Sequence, residues 1–472
     1  MNSRRPAAAV AADLAGDEAA PERFVAPWLG ARLRAMVGAL RARRLCVAYS
    51  GGLDSGALLA ALAALRSRER FVLRAVHVDH RIQPQSARWA RAACARARKL
   101  RVPCRILELS IERGRGESLE AAARNARYSA LAAELAPDEL LLTAHHQEDQ
   151  LETVLLALLR GSGVRGLAAM KAVTPWAHTL LLRPLLPVTR AQLEQYVRRR
   201  ALDWSEDPSN TDERFDRNYL RRAVLPLIRQ RWPAAAATVS RSARHLAEAR
   251  ALLEQLARTA LQDARDGTAL SVSVLRRLPL PQRRNAVRQW IGERGLPVPD
   301  HRRLREICGP LLAARDDALP RVSWRGAELR RYADRLFASG AKVQRPPAPV
   351  EHWDWRAQPW LRLAGGGVLG LVRDRHGDVR LPALPPLLSV RQRRGGERLQ
   401  GAQGRVALKD LLQARGLAPW ERAAVPLIMH AGRIIAVADL WLDRSYGGQD
   451  ARAAERGRFR WRRDDAEFDD YD

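Results

Sequence analysis

The chain has 472 residues, which is enough for two to four domains, each with its own core. Its 81 basic residues outnumber its 52 acidic residues, and a net charge of +29 favours a polyanionic partner over a merely basic protein without one. No apolar run approaches the roughly 20 residues that span a bilayer, so no membrane contact is expected. The four cysteines form no Cys-x-x-Cys pair, which argues against a zinc ribbon, an iron–sulfur site or a disulfide scaffold and favours a cytoplasmic location.

Composition shifts divide the chain into segments. We interpret residues 1–24 as a disordered leader, because acidic residues interrupt its alanine run and leave no secretory signal. The predicted order is an α/β domain at 25–232, a helical domain at 233–342, a proline-rich linker at 343–350, a C-terminal α+β domain at 351–462 and an acidic tail at 463–472.

The first domain alternates short apolar runs with helical periodicity, as parallel α/β sheets do. The predicted strands are 45–48, 71–78, 104–109 and 139–144, and the predicted helices follow the glycine turn after residue 52 and cover 86–100, 117–135 and 147–160. Because ligands of such sheets bind at the carboxyl ends of the strands, we expect the glycine turn, Asp79-His80 and His145-His146 to converge on one crevice.

The later domains have different patterns. Helices are predicted at 238–266, 281–293 and 301–314, with one strand-like piece at 322–329. In the last domain, strands are predicted at 368–372 and 388–393 and a helix at 408–415.

The most informative local pattern is the turn Ser50-Gly51-Gly52-Leu53-Asp54-Ser55, between a predicted strand and a predicted helix. Two glycines permit a sharp turn and leave room for a ligand. The first N–H groups of the following helix, and its positive dipole end, favour phosphate or pyrophosphate. No Gly-Lys-Ser/Thr ending follows, so this is not the common nucleotide loop.

A dense acidic cluster with paired histidines begins the helix after the last buried strand. Glu148, Asp149 and Glu152 lie within one helical turn, where acids also serve ordinary helix stability. Near an ATP phosphate group, such carboxylates can hold Mg²⁺ or accept a proton from an amine. A metal site made by the histidines alone is not expected, because no third ligand at metal spacing follows.

Two basic segments come next in the sequence. The loop 160–167 either clamps a phosphate or terminates the preceding helix. Arg217 and Arg221 share a helical face and either meet phosphates of RNA or ATP or form a solvated surface.

These motifs resemble the tRNA(Ile)-lysidine synthase family of the N-type ATP pyrophosphatases, the PP-loop superfamily. The similarity covers about residues 44–446, and its motifs are residues 50–55, 77–80, 120–128, 144–170, 206–210, 217–221, 395–398, 408–420 and 437–441. It implies that 25–232 is the catalytic domain, with an adenine nucleotide α-hydrolase-like parallel sheet, that the mainly helical domain at 233–342 binds tRNA or another substrate, and that the small α+β domain at 351–462 binds tRNA. The sequence departs from the family at Glu148, where aspartate is common.

The resemblance implies a ligase that joins free L-lysine to the wobble cytidine of the CAU anticodon of tRNA(Ile). ATP, with Mg²⁺, first adenylates the cytosine and releases pyrophosphate. The lysine amine then displaces AMP, which changes the tRNA's identity from methionine to isoleucine. Whether the protein forms a homodimer stays open.

The resemblance also assigns roles to residues of this sequence. The implied nucleotide-binding residues are Ser50, Gly51, Gly52, Leu53, Asp54 and Ser55; the implied catalytic residues are Asp54, His145, Asp149 and Arg217; and the implied substrate-binding residues are Glu152, Arg124 and Arg221. Asp54 would hold Mg²⁺, Arg217 would neutralise pyrophosphate, and Asp149 or Glu152 would orient the ammonium and help take its proton. His145 would contact the phosphate or the activated oxygen, or else support the core by a hydrogen bond.

Two alternatives use the same sequence features differently. A tRNA-thiolating enzyme would need a catalytic cysteine pair or a cluster motif, and the sequence has neither. A non-catalytic RNA-binding protein with a decayed loop conflicts with the intact Ser50, Asp54 and His145.

Overall fold

The computed structural model describes residues 21–81, 85–109, 119–205, 213–315, 318–340, 351–363, 366–401, 404–448 and 455–462, although the side chains of 119–121 and 401 are not described. The chain forms two compact units, Met1–Gln255 and Leu256–Asp472. Among the described residues, none of the helices combines the length and apolarity that a membrane span requires. The predicted linker, the acidic tail and residues 1–20 of the predicted leader lie outside the described residues.

A six-stranded sheet forms the centre of the first unit. Its strands are β1 (Arg44–Ala48), β2 (Val72–Asp79), β3 (Cys104–Glu108), β4 (Glu139–Leu142), β5 (Val173–Trp176) and β6 (Thr179–Leu182). The order is β3-β2-β1-β4-β6-β5, and every neighbouring pair is parallel except β5 and β6, which form an antiparallel hairpin at the edge. This confirms the predicted parallel α/β sheet, although the edge hairpin was not predicted.

Helices cover the sheet because its central strands are apolar on both faces. All of β4 and all but the first residue of β1 are buried. The helices of this unit are α1 (Ala26–Val37), α2 (Leu53–Glu69), α3 (Ser86–Lys99), α4 (Leu119–Glu134), α5 (Gln147–Leu159), α6 (Val164–Leu167), α7 (Arg190–Arg199), α8 (Asp216–Tyr219), α9 (Leu225–Arg231) and α10 (Ala235–Ala264), with a π-helix at Leu220–Val224. Helix α10 continues into the second unit.

Two local features differ from the sequence expectations. Phe24 is fully buried and packs edge-on against Tyr196, so the folded chain begins before residue 24 rather than after the predicted leader. Cys94 and Cys104 form a disulfide between α3 and β3, whereas Cys46 and Cys308 are free and buried. The scattered spacing had suggested no such pair.

The second unit begins with helices and an antiparallel sheet. Helices α11 (Val272–Arg277), α12 (Leu280–Glu293) and α13 (His301–Glu306), with a π-helix at Ile307–Leu311, accompany strands β7 (Arg265–Asp266), β8 (Ala269–Ser271), β9 (Arg321–Trp324), β10 (Ala327–Tyr332) and β11 (Arg335–Gly340). The predicted single strand at 322–329 was wrong, because Gly326, with φ of +78°, reverses the chain between β9 and β10. Trp290 lies in the core of this region.

The end of the chain is an α+β region, as predicted. Its elements are β12 (Glu351–Asp354), β13 (Trp360–Arg362), β14 (Val368–Arg373), β15 (Val379–Arg380), a 3₁₀ turn (Leu381–Ala383), β16 (Leu387–Gln392), β17 (Arg398–Gly401), β18 (Gly404–Ala407), α14 (Leu408–Ala414), α15 (Pro419–Arg422), β19 (Pro426–His430), β20 (Arg433–Val437), β21 (Trp441–Leu442) and β22 (Arg456–Arg462). The sheet orders are β12-β16-β19-β20-β21 and β13-β14-β22-β15, with a separate β17–β18 hairpin. Arg422 on α15 donates a hydrogen bond to the Tyr332 hydroxyl at 2.8 Å.

Candidate active site

The candidate site lies at the carboxyl ends of the central strands of the first unit. The glycine turn follows β1, and His145-His146 follow β4, which is the neighbour of β1 in the sheet. His146 Nε2 lies 3.6 Å from Asp54 Oδ2, which brings the two segments together. Asp79 ends β2 on the other side of β1. The predicted convergence at one sheet edge is confirmed for these segments.

The turn after β1 is held by its own hydroxyl groups. Ser50 Oγ and Ser55 Oγ are 2.9 Å apart, and Ser50 Oγ also accepts a hydrogen bond from Gly52 N at 3.3 Å. Gly52 is the N-cap of α2 and provides no side-chain cap. The first amides of α2 therefore begin the helix without a side-chain oxygen over them, which is the arrangement that binds an anion.

Gly51 cannot be replaced without disturbing this turn. Its φ is +81°, and a Cβ there would lie 2.8 Å from Ala93 Cβ on α3. Arg96, one helical turn after Ala93, donates hydrogen bonds to Gly51 O at 3.2 Å and to Ser205 Oγ at 2.7 Å. Helix α3 thus supports the loop from behind by both shape and hydrogen bonds.

His146 connects the loop to the acidic helix start. It is 3% exposed, and its Nδ1 lies 2.9 Å from Glu148 Oε2 while its Nε2 lies 3.4 Å from Asp149 Oδ2. Burial alone would lower the pKa of His146, but Asp149, Asp54 and Glu148 outweigh that effect and raise the pKa to about 10. His146 is therefore a buried imidazolium among three carboxylates.

His145 has the opposite electrostatic state. Burial, together with nearby arginines, lowers the pKa of His145 to about 3 in spite of Asp149. Its Nδ1 is 2.9 Å from Thr143 Oγ1, which fixes the ring in the turn after β4. His145 is therefore a neutral imidazole at physiological pH.

Two arginines join the two carboxylates of α5 in a closed ring. Arg217 Nε and Arg221 Nε bond Glu152 at 2.7 Å and 2.5 Å, and their Nη2 atoms lie 3.3 Å and 2.8 Å from Asp149 Oδ1. The other oxygen of Asp149 accepts the His146 backbone N–H at 2.9 Å, a cap of α5. Burial by itself would raise the pKa of Asp149, but the His146 imidazolium and both arginines hold it far below its usual range.

The remaining predicted residues have different surroundings. Arg124 is exposed on α4, with its guanidinium 5.4 Å from the centre of the Tyr128 ring, and no described contact joins it to the acidic cluster. Residues 206–210 of the family motif lie outside the described residues. Gly161, with φ of +68°, ends α5, which supports the helix-terminating interpretation of the 160–167 loop.

The sequence analysis placed His146 at this edge of the sheet without a role, and it did not identify Arg96 at all. His146 could have been found as the N-cap residue three positions before an acid, a capping pattern that puts its side chain beside the loop. Arg96 has no such signal, because only the packing of α3 on the glycine turn brings it to Gly51.

Asp54 is the residue that fits a cation. Its Oδ1 is buried and has no hydrogen-bond partner among the described residues. No group of three or more His, Cys, Asp or Glu side chains in the described part of the chain is arranged to hold a metal. A cation at Asp54 would therefore take most of its ligands from phosphate oxygens and water, as Mg²⁺ does at nucleotide sites.

Family models match three regions of the chain. A PP-loop domain model matches residues 27–228, a TilS substrate-binding domain model matches 270–337, and a TilS substrate C-terminal domain model matches 388–461. The first match contains every residue of the candidate site.

The chain is also similar over most of its length to curated proteins called tRNA(Ile)-lysidine synthase. The protein of Alkalilimnicola ehrlichii is 45% identical over 89% of this chain and 94% of its own length. The proteins of Methylococcus capsulatus and Coxiella burnetii are 40% and 38% identical over 86% and 83% of this chain and 94% and 88% of their own lengths. These matches confirm the resemblance and do not favour thiolation or a non-catalytic role. The chain therefore belongs to the tRNA(Ile)-lysidine synthase family.

Proposed function

We propose that this protein ligates L-lysine to the wobble cytidine of tRNA(Ile) with a CAU anticodon, using ATP and releasing AMP and pyrophosphate. The observation that carries the proposal is the approach of Asp54 to His146 at 3.6 Å, because it places an anion-binding loop beside an acidic cluster suited to an amine. Family membership supplies the reaction type.

In the first step the cytosine carbonyl oxygen attacks the α-phosphorus of ATP and pyrophosphate leaves. The open amides at the start of α2 bind the phosphates, and the Ser50–Ser55 hydroxyl pair keeps the turn in shape. Asp54 would hold Mg²⁺, which when bound neutralises charge on the departing pyrophosphate.

Arg217 and Arg221 connect the two substrates. Their guanidinium groups form ion pairs with Asp149 and Glu152. ATP phosphates compete for the same guanidinium groups, because bidentate arginine binds phosphate as readily as carboxylate. When the arginines turn to the phosphates, Asp149 and Glu152 become free to bind a cation.

In the second step the lysine ε-amine attacks the activated ring carbon, and AMP leaves with the bonding electron pair. The free amine has a pKa of about 10.4, so one proton must be lost before attack. Asp149 and Glu152 orient the ammonium, and the carboxylates take up the proton once the arginines no longer depress their basicity. The neutral His145 imidazole donates or accepts one hydrogen bond at the reacting oxygen.

The basic chain provides for tRNA binding. Its net charge of +29 attracts the phosphate backbone, and a wobble base in a single-stranded loop is reached without opening a duplex. The regions similar to substrate-binding and C-terminal domains would hold the tRNA body. The three substrates occur together in the cytoplasm, where we expect the protein to act.

The test is incorporation of labelled lysine into tRNA(Ile) transcripts that differ only in the anticodon, CAU against GAU. We expect one AMP and one pyrophosphate for each lysine incorporated, and only with CAU. Incorporation without AMP release, or none at all with active-site titrated protein, would contradict the proposal. Asp149→Ala should abolish lysine transfer, whereas the exposed Asp138→Ala should not affect it.

A further inference from the structure

Arg183 is a buried arginine directly after β6, at the same sheet edge as the candidate site. Its exposed fraction is 8%, and β6 is the parallel neighbour of β4, which ends just before His145. Its Nη1 donates hydrogen bonds to Lys171 O at 2.9 Å and to Thr174 Oγ1 at 3.0 Å. These two bonds, one to β5 and one to the segment just before it, fix the orientation of the guanidinium group.

The other edge of this guanidinium has no acidic partner. Arg183 Nε is buried without a hydrogen-bond partner, and no described carboxylate forms an ion pair with Arg183. The neighbouring Arg217 and Arg221 instead share two carboxylates. Burial lowers the pKa of Arg183 and Arg124 adds repulsion, while the neighbouring Tyr128 hydroxyl offsets only part of this effect. Tyr128 is a neutral neighbour and not a carboxylate counter-charge. A buried cation kept without a counter-charge is typical of a binding site for an anion.

We infer that Arg183 binds the α-carboxylate of the amino-acid substrate through its Nε and Nη2 edge. This inference rests on the proposed function, which supplies lysine as the substrate. The Nε–Nη2 edge presents two parallel N–H groups at the spacing of carboxylate oxygens. Arg127 on α4 adds a second positive charge, since it also acts on His145.

The position of Arg183 separates this anion from the phosphates of ATP. The phosphate loop follows β1, and β4 lies between β1 and β6. At about 4.8 Å per strand, the two anion sites are roughly 10 Å apart along the sheet edge. The α-carboxylate and the nucleotide would therefore flank His145 and Asp149 from opposite sides.

The length of lysine matches this arrangement. Six bonds separate the carboxylate carbon from Nζ, which is about 7.5 Å in the extended form. That reach exceeds one strand spacing of about 4.8 Å, so the amine of a lysine held at Arg183 arrives at the end of β4. There the carboxylates of Asp149 and Glu152 are placed to receive an ammonium group.

A substrate series tests the inference on the unmodified protein. Cadaverine has the same amine and chain but no carboxylate, and lysinamide replaces the carboxylate by a neutral amide. We expect kcat/KM for lysine to exceed that for either analogue on the order of 100-fold, because a charged hydrogen-bonded pair is lost. Equal use of lysine and cadaverine would overturn the inference.

Variants of Arg183 test whether this residue causes the preference for lysine over cadaverine. Arg183→Gln should lower kcat/KM for lysine on the order of 100-fold and leave that for cadaverine unchanged, while Arg183→Lys should retain part of the preference. Arg198→Gln, at an exposed arginine paired with Glu194, is the matched control. An equal loss for lysine and cadaverine in Arg183→Gln would assign Arg183 to the fold rather than to the carboxylate. If that variant does not fold, the analogue series on the unmodified protein decides.

Two further readouts separate failure of this inference from failure of the proposed function. Pyrophosphate release from ATP and tRNA without lysine reports the adenylation step alone, and Arg183→Gln should leave it unchanged. Calorimetric titration of lysine and cadaverine into the protein saturated with an ATP analogue that cannot be cleaved between the α- and β-phosphates measures carboxylate recognition without any reaction. Absent pyrophosphate release with a retained lysine preference would overturn the proposed function but support Arg183; the reverse pattern would overturn Arg183 alone.

Discussion

The two segments that meet at the candidate site are built in opposite ways. The turn after β1 offers backbone amides to the phosphates that we propose it binds, and the hydroxyl groups of Ser50 and Ser55 hold its shape. The start of α5 presents charged side chains, and every charge there is already matched by another charge of the same protein. One segment is open before any substrate arrives, and the other is closed.

This difference indicates how the two substrates bind. The turn can accept a phosphate without rearrangement, because no side-chain cap has to leave the first amides of α2. The carboxylates of α5 must first lose their arginines, and each exchange replaces one buried ion pair by another rather than exposing a bare charge. For the proposed reaction, we therefore predict that nucleotide binds before lysine.

The largest effect is expected for a substitution in the turn after β1, and it concerns pyrophosphate release. Asp54→Ala should lower pyrophosphate release on the order of 1000-fold, because it removes both the cation ligand and the partner of His146. Steady-state pyrophosphate release with tRNA measures this, with Asp138→Ala as the exposed control. A loss under tenfold would mean that Asp54 does not hold the cation.

The shape of the turn gives the next effect. Gly51→Ala places a Cβ 2.8 Å from Ala93 Cβ at a φ of +81°, so the turn must shift. The backbone amides of the shifted turn then no longer point towards the phosphates. We expect kcat/KM for ATP to fall on the order of 100-fold. Gly309→Ala is the control, since a Cβ there meets nothing within 4 Å and φ is ordinary. Unchanged ATP kinetics in Gly51→Ala would show that the loop does not need this approach.

More of the turn after β1 than of the start of α5 could be predicted from the sequence. The glycine turn is local, so its strand, its helix and its anion preference follow from consecutive residues. The pairing of Arg217 and Arg221 with Asp149 and Glu152 spans about 70 positions along the chain. Of the two alternatives for these arginines, the solvated face does not fit, because their side chains are only 22% and 38% exposed. The charge states of His145 and His146 could not be predicted from the sequence either, because they depend on which carboxylates and arginines surround each ring.

The ion pairs of Arg217 and Arg221 with Asp149 and Glu152 can be tested by measuring the coupling energy between two of these residues. Arg221→Met should destabilise the first unit by about 1–3 kcal/mol, because Glu152 is 2% exposed and keeps only Arg217. In the double variant with Glu152→Gln, most of that loss should be absent, which a double-mutant cycle in urea detects. Arg222→Met, at a pair with Glu213 in which both side chains are about half exposed, should cost less than about 0.5 kcal/mol. Purely additive losses at Arg221 and Glu152 would contradict the ring.

The adjacent histidines should give opposite pH dependences of stability. The pKa of His146 is raised from 6.5 to about 10, so its contribution is complete below pH 6.5 and is lost as pH rises towards 10. The pKa of His145 is lowered to about 3, so its contribution is complete above pH 6.5 and is lost as pH falls. Each slope is at most about 1.4 kcal/mol per pH unit for one proton.

Urea unfolding of the first unit between pH 5 and 9.5 separates the two histidines. His146→Gln should flatten the alkaline side of the stability profile and leave the acid side, and His145→Gln should do the reverse. The slopes of the stability profiles are compared rather than the absolute stabilities, because His146→Gln also removes the positively charged imidazole that pairs with Asp54 and Asp149. An unchanged alkaline slope in His146→Gln would mean that this ring is not protonated in the folded protein, and the closed cluster would then lack the charge that joins it to the loop.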